Sequence, residues 1–326
     1  MAKLVECVPN FSEGRRTEVV DELAAAVVQT PGVYLLDRTS DLDHNRSVLT
    51  FAGEPEPVAV AMESAVAVAI ERIDMERHEG QHPRIGAVDV IPFVPLGDST
   101  LDECVELARR FGARIASRFD LPVYLYGKAA SRPERELLAD LRRPQYEGLK
   151  ELIGQRGREP DHGPSHLHPT AGAVAVGARP FLIAYNINLA STDLDLAKRI
   201  AHRIRERSGG LPRVQALGLF LEDLDLAQVS MNLLDFTVTP MWRAWETVRA
   251  LAADEGVEIA ESELIGLAPQ AALLEVADHI GTPASESLEA RLTAAADWLR
   301  IRDFEPTMAL ELRLAAATAA PAPADR

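Results

Sequence analysis

The fold class follows from the stretch FLIAYNINLASTDLDLAKRIAHRIRERSGGLPRVQALGLFL, residues 181–221. It opens with an apolar run at 181–189 that predicts a strand. Hydroxyl side chains then cap a helix at 191–210, which ends on two consecutive glycines. A second strand is predicted at 214–221. The stretch is therefore a strand, a helix and a strand in sequence.

The pattern continues beyond this stretch with a strand at 228–238, a helix that begins at Pro240, a strand at 257–262 and a helix at 271–280. Apart from the last helix, the order is βαββαβ, the split βαβ arrangement. Residues 4–94 repeat this order, and a further helix and strand follow them. The sequence predicts an α/β protein with two α/β subdomains, each of ferredoxin-like order with helices packed on a mixed sheet.

The domain organisation follows from where this order is interrupted. Residues 145–172 are rich in Gly, Pro and His, and we expect an irregular connection there, which in a compact protein is usually functional or disordered. We expect an N-terminal subdomain with this connection at 1–178, a C-terminal subdomain at 179–282 and a helical tail at 283–326. The Ala- and Pro-rich end, 315–326, is expected to fray.

Composition limits the possible partners. The 326-residue chain has 34 Lys and Arg against 50 Asp and Glu, a net charge of −16, which argues against a dedicated nucleic-acid-binding protein. No signal peptide is recognised at the start, and no run of about 18 uncharged apolar residues predicts a membrane span. Cys7 and Cys104 are too few for a disulfide framework. We expect a cytoplasmic enzyme without nucleic acid or membrane partners.

The first candidate for chemistry is the segment RHEGQHPRIG, residues 77–86. Pro83 disfavours helix at His82, so this histidine is expected in a loop, where an imidazole that titrates near neutrality can move protons. Arg77 and Arg84 flank it and could hold a carboxylate. The same residues could equally form a solvated loop with cations at a helix end.

The second candidate is DHGPSHLHPTAG, residues 161–172. His162, His166 and His168 are spaced as in a metal site, but no HExxH motif or cysteine pair supports a metal. Glycines let the backbone approach a flat ligand closely, which favours a ligand-binding loop. A loop that merely carries polar side chains is the alternative.

Weaker candidates lie in three other segments. PNFSEG (9–14) follows the first strand, although Ser12 could simply cap the next helix. The polar segment 37–46 lacks the pattern of a calcium loop and is interpreted as a solvated hairpin loop. Asn186 and Asn188 alternate with apolar residues and could close a polar site or face solvent.

Taken together, several motifs resemble the formiminotransferase family, the glutamate formimidoyltransferases of histidine breakdown. The motifs that carry the resemblance are VECVPNFSEG (5–14), NRSVLTF (45–51), HPRIGAVDVIPF (82–93), PVYLYG (122–127), FLIAYNINL (181–189) and AQVSMNLLDF (227–236). The resemblance runs from Leu4 to about Ile280. The chain is too short for the cyclodeaminase domain that follows in the bifunctional animal enzymes.

This resemblance implies site residues. The family's catalytic histidine corresponds to His82. Its folate-binding segment corresponds to Gly163, Pro164, Ser165, His166, Leu167, His168, Pro169, Thr170, Ala171 and Gly172. Substrate-binding roles are expected for Asn10, Arg46, Arg84 and Asn188, and Arg38, Lys128 and Arg179 are further candidates for holding carboxylates.

The resemblance also implies a reaction. The formimino group of N-formimino-L-glutamate would pass to N5 of tetrahydrofolate, with or without a polyglutamate tail, giving 5-formiminotetrahydrofolate and L-glutamate. No metal is expected to be required. A homodimer is expected, as is a separate cyclodeaminase that takes the product.

Three alternatives stay open on the sequence. The protein could transfer a formyl group from N-formylglutamate or act on 5-formyltetrahydrofolate, because the same attack and proton transfer would serve. It could be a metal-dependent hydrolase that uses the histidines of 161–172. It could also bind folate without catalysis.

Overall fold

A computed structural model describes residues 2–319 of the chain, which divides into two compact units, Met1–Pro180 and Phe181–Arg326. Both units are α/β, as predicted. Of the end expected to fray, residues 315–319 belong to a helix, contrary to that prediction, and residues 320–326 lie outside the described residues.

The first unit contains a seven-stranded mixed sheet. Its strands are β1 (Lys3–Cys7), β2 (Asn10–Phe11), β3 (Val33–Asp41), β4 (Arg46–Gly53), β5 (Val88–Gly97), β6 (Val123–Gly127) and β7 (Val174–Ala178). Across the sheet the order is β3, β4, β1 with β2, β5, β7, β6. The pairings from β3 to β5 are antiparallel, and β5, β7 and β6 are parallel. The first five strands therefore form a ferredoxin-like sheet, which β7 and β6 extend.

Helices cover this sheet because each has one apolar side. They are α1 (Thr17–Val28), α2 (Pro55–Arg72), α3 (Leu101–Phe119), α4 (Leu138–Arg142) and α5 (Gln145–Leu152). The first three contribute to the main core, and α4 and α5 pack with β6 and β7 in a second, smaller core. The central strand β5 is buried along most of its length, and its sequence is an apolar run interrupted by Asp89.

Local details of this unit differ from the sequence predictions. The spacing of Ser99 and Asp102 in the sequence predicts a capping box at the start of α3. In the structure the box is formed one residue later, by Thr100 and Glu103. The helix α5 and the strand β7 were not predicted; α5 lies within the connection expected to be irregular. Both are short, so their apolar periodicity is weak.

The second unit contains a four-stranded antiparallel sheet made of β8 (Ile183–Leu189), β9 (Val214–Leu221), β10 (Leu226–Leu233) and β11 (Ile259–Ile265). The strand order β11, β8, β10, β9 is the same ferredoxin-like order as in the first unit. Its helices are α6 (Leu194–Ile204), α7 (Met241–Asp254), α8 (Gln270–His279), α9 (Leu288–Trp298) and α10 (Leu310–Ala319). Asp193 caps α6, rather than the hydroxyl residues predicted at 191–192.

Within residues 2–319, no helix is long and apolar enough to cross a membrane.

Candidate active site

The candidate catalytic histidine lies where the sequence predicts, in an irregular loop at 73–87 between α2 and β5. His82 is partly buried, and Arg84 to Ala87 at the end of the loop are buried. The loop is therefore anchored on its C-terminal side, next to the histidine.

Backbone pairing joins this loop to the end of the second candidate segment. The amide of Ala87 donates to the carbonyl of Ala171 (2.8 Å), and the amide of Ala173 donates to the carbonyl of Ile85 (3.0 Å). The hydroxyl of Ser12 donates to the carbonyl of Gly86 (2.7 Å). Ser12 therefore anchors the histidine loop and does not cap α1, which begins without a side-chain cap. The Glu13 side chain accepts from the amides of Arg15 and Arg16 just before this helix.

The close approach of the two segments requires glycine on both sides. Gly86 and Gly172 form a bridge, and a Cβ on Gly86 would lie 2.0 Å from the carbonyl oxygen of Ala173. Gly172 has φ +71°, and its Cβ would lie 2.6 Å from the carbonyl oxygen of Ile85. The candidate catalytic loop and the candidate folate segment are thus fixed against each other within one unit.

Asn45 ties the histidine loop to the β3–β4 hairpin. Its side-chain oxygen accepts from the amide of Gly14 (3.0 Å), and its side-chain nitrogen donates to the carbonyl of Glu79 (2.9 Å). Its backbone is left-handed at φ 47°, which asparagine tolerates better than most residues. The segment 37–46 is thus mostly strand, closed by a tight turn, rather than the polar loop expected from the sequence.

An arginine contacts the imidazole of His82 directly. Arg46, the first residue of β4, places Nη1 3.2 Å from His82 Nε2. The Nε of Arg46 is buried and has no hydrogen-bond partner among the described residues. The ring of His44 also lies near that of His82, with the two ring centroids 6.3 Å apart and the ring planes at 68°.

Two further arginines near the histidine are paired with carboxylates. Arg142, at the end of α4, forms an ion pair with Asp89, which is 1% exposed. The other oxygen of Asp89 accepts from the amide of Ile85 (2.9 Å). Asp89 thus connects the histidine loop, the central strand β5 and α4.

Arg84 is 6% exposed and binds Glu147 through both terminal nitrogens, at 3.1 and 2.6 Å. Its Nε donates to Nδ1 of His78 (3.3 Å), whose Nε2 donates to the carbonyl of Asn45 (3.1 Å). Burial lowers the pKa of His78, and Nδ1 can accept from Arg84 only when the ring is neutral. The guanidinium of Arg84 is therefore already engaged by protein groups.

Burial and neighbouring cations act on His82 in the same direction. Burial first, and then the charges of neighbouring groups, lower the pKa of His82 from 6.5 to about 3. These groups are Arg142, Arg46, His44 and Arg84. The ring is neutral near pH 7, the form that can accept a proton.

The segment 163–172 ends in a tight turn. His168 and Gly172 exchange backbone hydrogen bonds, and Nδ1 of His168 accepts from the amide of Ala171 (3.1 Å). Ser165 and His166 are exposed. Among the described residues no group of three His, Cys, Asp or Glu could hold a metal ion, so His162, His166 and His168 do not converge as ligands.

The remaining predicted residues have different surroundings. Asn10 lies on β2 between β4 and β5, and its side chain donates to the carbonyl of Val8 (3.4 Å). Asn188 is 0% exposed on β8, where it donates to Glu261 (3.0 Å) and accepts from Gln228 (2.9 Å).

The other carboxylate-binding candidates are paired or bonded locally. Arg38 pairs with Asp21 and Lys128 with Glu136, and Arg179 donates to the carbonyl of Pro180.

Six residues of this site were not among the predicted site residues: His44, Asn45, His78, Asp89, Arg142 and Glu147. Asp89 carries a signal that could have revealed it, because a lone carboxylate in a buried apolar strand needs a partner. Arg142 and Glu147 act across large sequence separations and leave no local pattern.

Comparison with known proteins places the chain in a family. Residues 4–179 match the formiminotransferase domain, N-terminal subdomain, and residues 184–291 match the formiminotransferase domain. The chain is 46% identical to a glutamate formimidoyltransferase of Streptococcus pyogenes serotype M1, covering 86% of this chain and 93% of the relative. It is 48% identical to that of Thermoplasma acidophilum, covering 85% and 91%.

The match to the formimidoyltransferase-cyclodeaminase of Rattus norvegicus is 47% identical over 85% of this chain but covers only 52% of that longer protein. Both family matches and the nearly full-length bacterial and archaeal relatives lead to the same assignment. The chain belongs to the formiminotransferase family.

Proposed function

We propose that this chain transfers the formimino group of N-formimino-L-glutamate to N5 of tetrahydrofolate, giving 5-formiminotetrahydrofolate and L-glutamate, as a step of histidine degradation. The observation that carries the proposal is the pairing of the His82 loop with the end of the 163–172 segment. It holds a neutral imidazole at a fixed position relative to the segment proposed to bind folate. Relatives of 46% and 48% identity bear the name glutamate formimidoyltransferase.

His82 is the proposed general base and then acid. The lone pair of folate N5 forms a bond to the formimino carbon, and a tetrahedral adduct results. N5 loses a proton, which His82 accepts and passes to the departing nitrogen of glutamate as its bond to carbon breaks. Proton uptake and release balance, and such transfer contributes roughly 10²–10⁴-fold to rate.

The segment from Gly163 to Gly172 is the proposed folate-binding element. Its glycines allow the left-handed backbone at both ends, with φ +85° and +71°. Its exposed positions, among them Ser165 and His166, are available to a ligand. Positioning of the two substrates would supply much of the remaining acceleration.

Arg46 is the proposed partner of a substrate carboxylate. Arg84 and Arg142 are each paired with a protein carboxylate, whereas Arg46 contacts only an imidazole among the hydrogen bonds and ion pairs between described residues. Asn10 and Asn188 stay proposed substrate contacts. A homodimer in the cytoplasm, with a separate cyclodeaminase that takes the product, completes the proposal.

The proposal is tested by incubating the purified chain with N-formimino-L-glutamate and tetrahydrofolate and following L-glutamate and the substituted folate by mass spectrometry. Equal amounts of both products are expected, and neither without the folate. Parallel reactions with N-formylglutamate and with 5-formyltetrahydrofolate test formyl transfer. Turnover with a formyl donor alone would replace the proposal with formyl transfer, and no turnover with any donor would contradict both.

A further inference from the structure

The contact between Arg46 and His82 fixes which ring nitrogen carries the proton. A guanidinium has donors but no acceptor, so Nε2 of His82 must accept from Nη1 of Arg46 at 3.2 Å. The neutral ring therefore carries its hydrogen on Nδ1. The nitrogen that holds the free lone pair, the one that a general base must use, is covered by Arg46.

This arrangement opposes the role of His82 as a base. A proton taken up by Nε2 would face an N–H donor of Arg46 and place two positive charges in contact. Burial and the surrounding cations already lower the pKa of His82 to about 3. General bases work best with a pKa near the working pH, so the described state of the site is not one suited to proton abstraction.

The two other arginines around the ring are balanced by carboxylates. Arg142 is paired with Asp89, and Arg84 with Glu147. His44 has its partner in Asp41, at 2.8 Å.

Arg46 differs from Arg142 and Arg84. It forms no ion pair among the described residues, and its buried Nε lacks a hydrogen-bond partner there. Asp41 and Asp89 act on Arg46 only without direct contact, so an incoming anion would meet in Arg46 a cation that no carboxylate of the described residues binds directly.

We propose that Arg46 is a substrate-sensing positioning residue: a carboxylate of the donor substrate binds its guanidinium, draws it from Nε2 of His82 and frees that nitrogen to accept a proton. This inference rests on the proposed function and adds to it a coupling between donor binding and the activation of the base. With this coupling, His82 can accept a proton only after a carboxylate of the donor is bound.

Histidine ring NMR tests the coupling, with L-glutamate as the probe because it carries the donor's two carboxylates. In the full-length wild-type chain, the His82 resonances should show the Nδ1–H form and titrate well below pH 6. Saturating L-glutamate should raise that midpoint by about one pH unit or more, since an opposite charge favours the protonated form.

Substitution of the arginine gives the second arm. In R46M the midpoint should already be raised without ligand, and L-glutamate should move it much less than in wild type. The matched control is R143M, which removes an exposed guanidinium next to Arg142 that pairs with Asp140. Its midpoint and its response to L-glutamate should follow the wild type.

The inference is overturned if L-glutamate binds the wild type, as measured by calorimetry, without moving the His82 midpoint, or if it does not bind saturably. It is also overturned if His82 titrates at the same pH in R46M as in the wild type. If R46M does not fold, the response of the wild type to L-glutamate decides. The transferase assay separates the two proposals. If formimino transfer is observed but L-glutamate does not move the His82 midpoint, only the sensing role of Arg46 is wrong. If the midpoint moves but no formimino transfer occurs, only the proposed donor substrate is wrong.

Discussion

Replacing Asp89 with asparagine should destabilise the first unit strongly. The carboxylate is 1% exposed, pairs with Arg142 and accepts from the amide of Ile85. D89N keeps an oxygen for that amide but leaves the guanidinium of Arg142, whose side chain is 16% exposed, without its counter-charge. Removing one partner of a buried pair costs about 3–5 kcal/mol, and the retained hydrogen bond reduces the expected loss to about 2–4 kcal/mol.

The measurement is urea unfolding at neutral pH, with D140N as the matched control. Asp140 pairs with Arg143 at the surface, where side chains are 40% and 70% exposed, so its loss should cost less than about 1 kcal/mol. The double variant D89N/R142M should recover part of the stability lost in D89N, because no unpaired charge is left buried. A free energy of unfolding for D89N equal to that of D140N would refute the buried-pair interpretation.

Three further predictions concern pH, backbone and thiols. The pKa of His82 is lowered from 6.5 to about 3 in the folded chain, so as the pH falls the unfolded chain binds a proton at this residue before the folded chain does. His82 should therefore lower the free energy of unfolding by about 1–2 kcal/mol between pH 6.5 and 5. H82Q should reduce the pH dependence in this range, and an unchanged slope would contradict the prediction. G172A should lower the free energy of unfolding by about 2 kcal/mol or more, because φ is +71° and the new Cβ would meet a backbone oxygen. G157A, at φ +87° in open space, should lower it by only about 1 kcal/mol in the same denaturation assay. Equal losses would argue against the close contact. Burial raises the pKa of Cys104 to about 12 and that of Cys7 well above its usual value. Neither thiol should therefore react with a thiol reagent at pH 8 until urea unfolds the chain. Fast reaction of the folded protein would contradict their burial.

The ferredoxin-like order could be predicted because apolar periodicity is strong in its elements. In α6, for example, buried residues recur at Leu196, Ala197, Ile200, Ala201 and Ile204, the spacing of one helix face. Exact caps could not be predicted where several capping side chains are adjacent. Hydrogen bonding in the folded chain, rather than propensity, selects among them.

In the candidate site, too, one local feature could be predicted from the sequence and its surroundings could not. His82 could be picked out because a proline next to a histidine implies a loop. Its electrostatic surroundings could not, because Arg46 and Arg142 come from elements 36 and 60 residues away along the chain. Only the fold brings these cations together, and their proximity depresses the pKa of the ring.

The most direct test of the account is the turnover number of H82Q with saturating N-formimino-L-glutamate and tetrahydrofolate. H44Q serves as the matched control, because His44 lies beside the same ring but is exposed and pairs with Asp41. We expect a loss of roughly 10²–10⁴-fold in kcat for H82Q, with substrate binding retained, and a loss of less than about tenfold for H44Q. A folded H82Q protein with a kcat within about threefold of wild type would contradict proton transfer by His82.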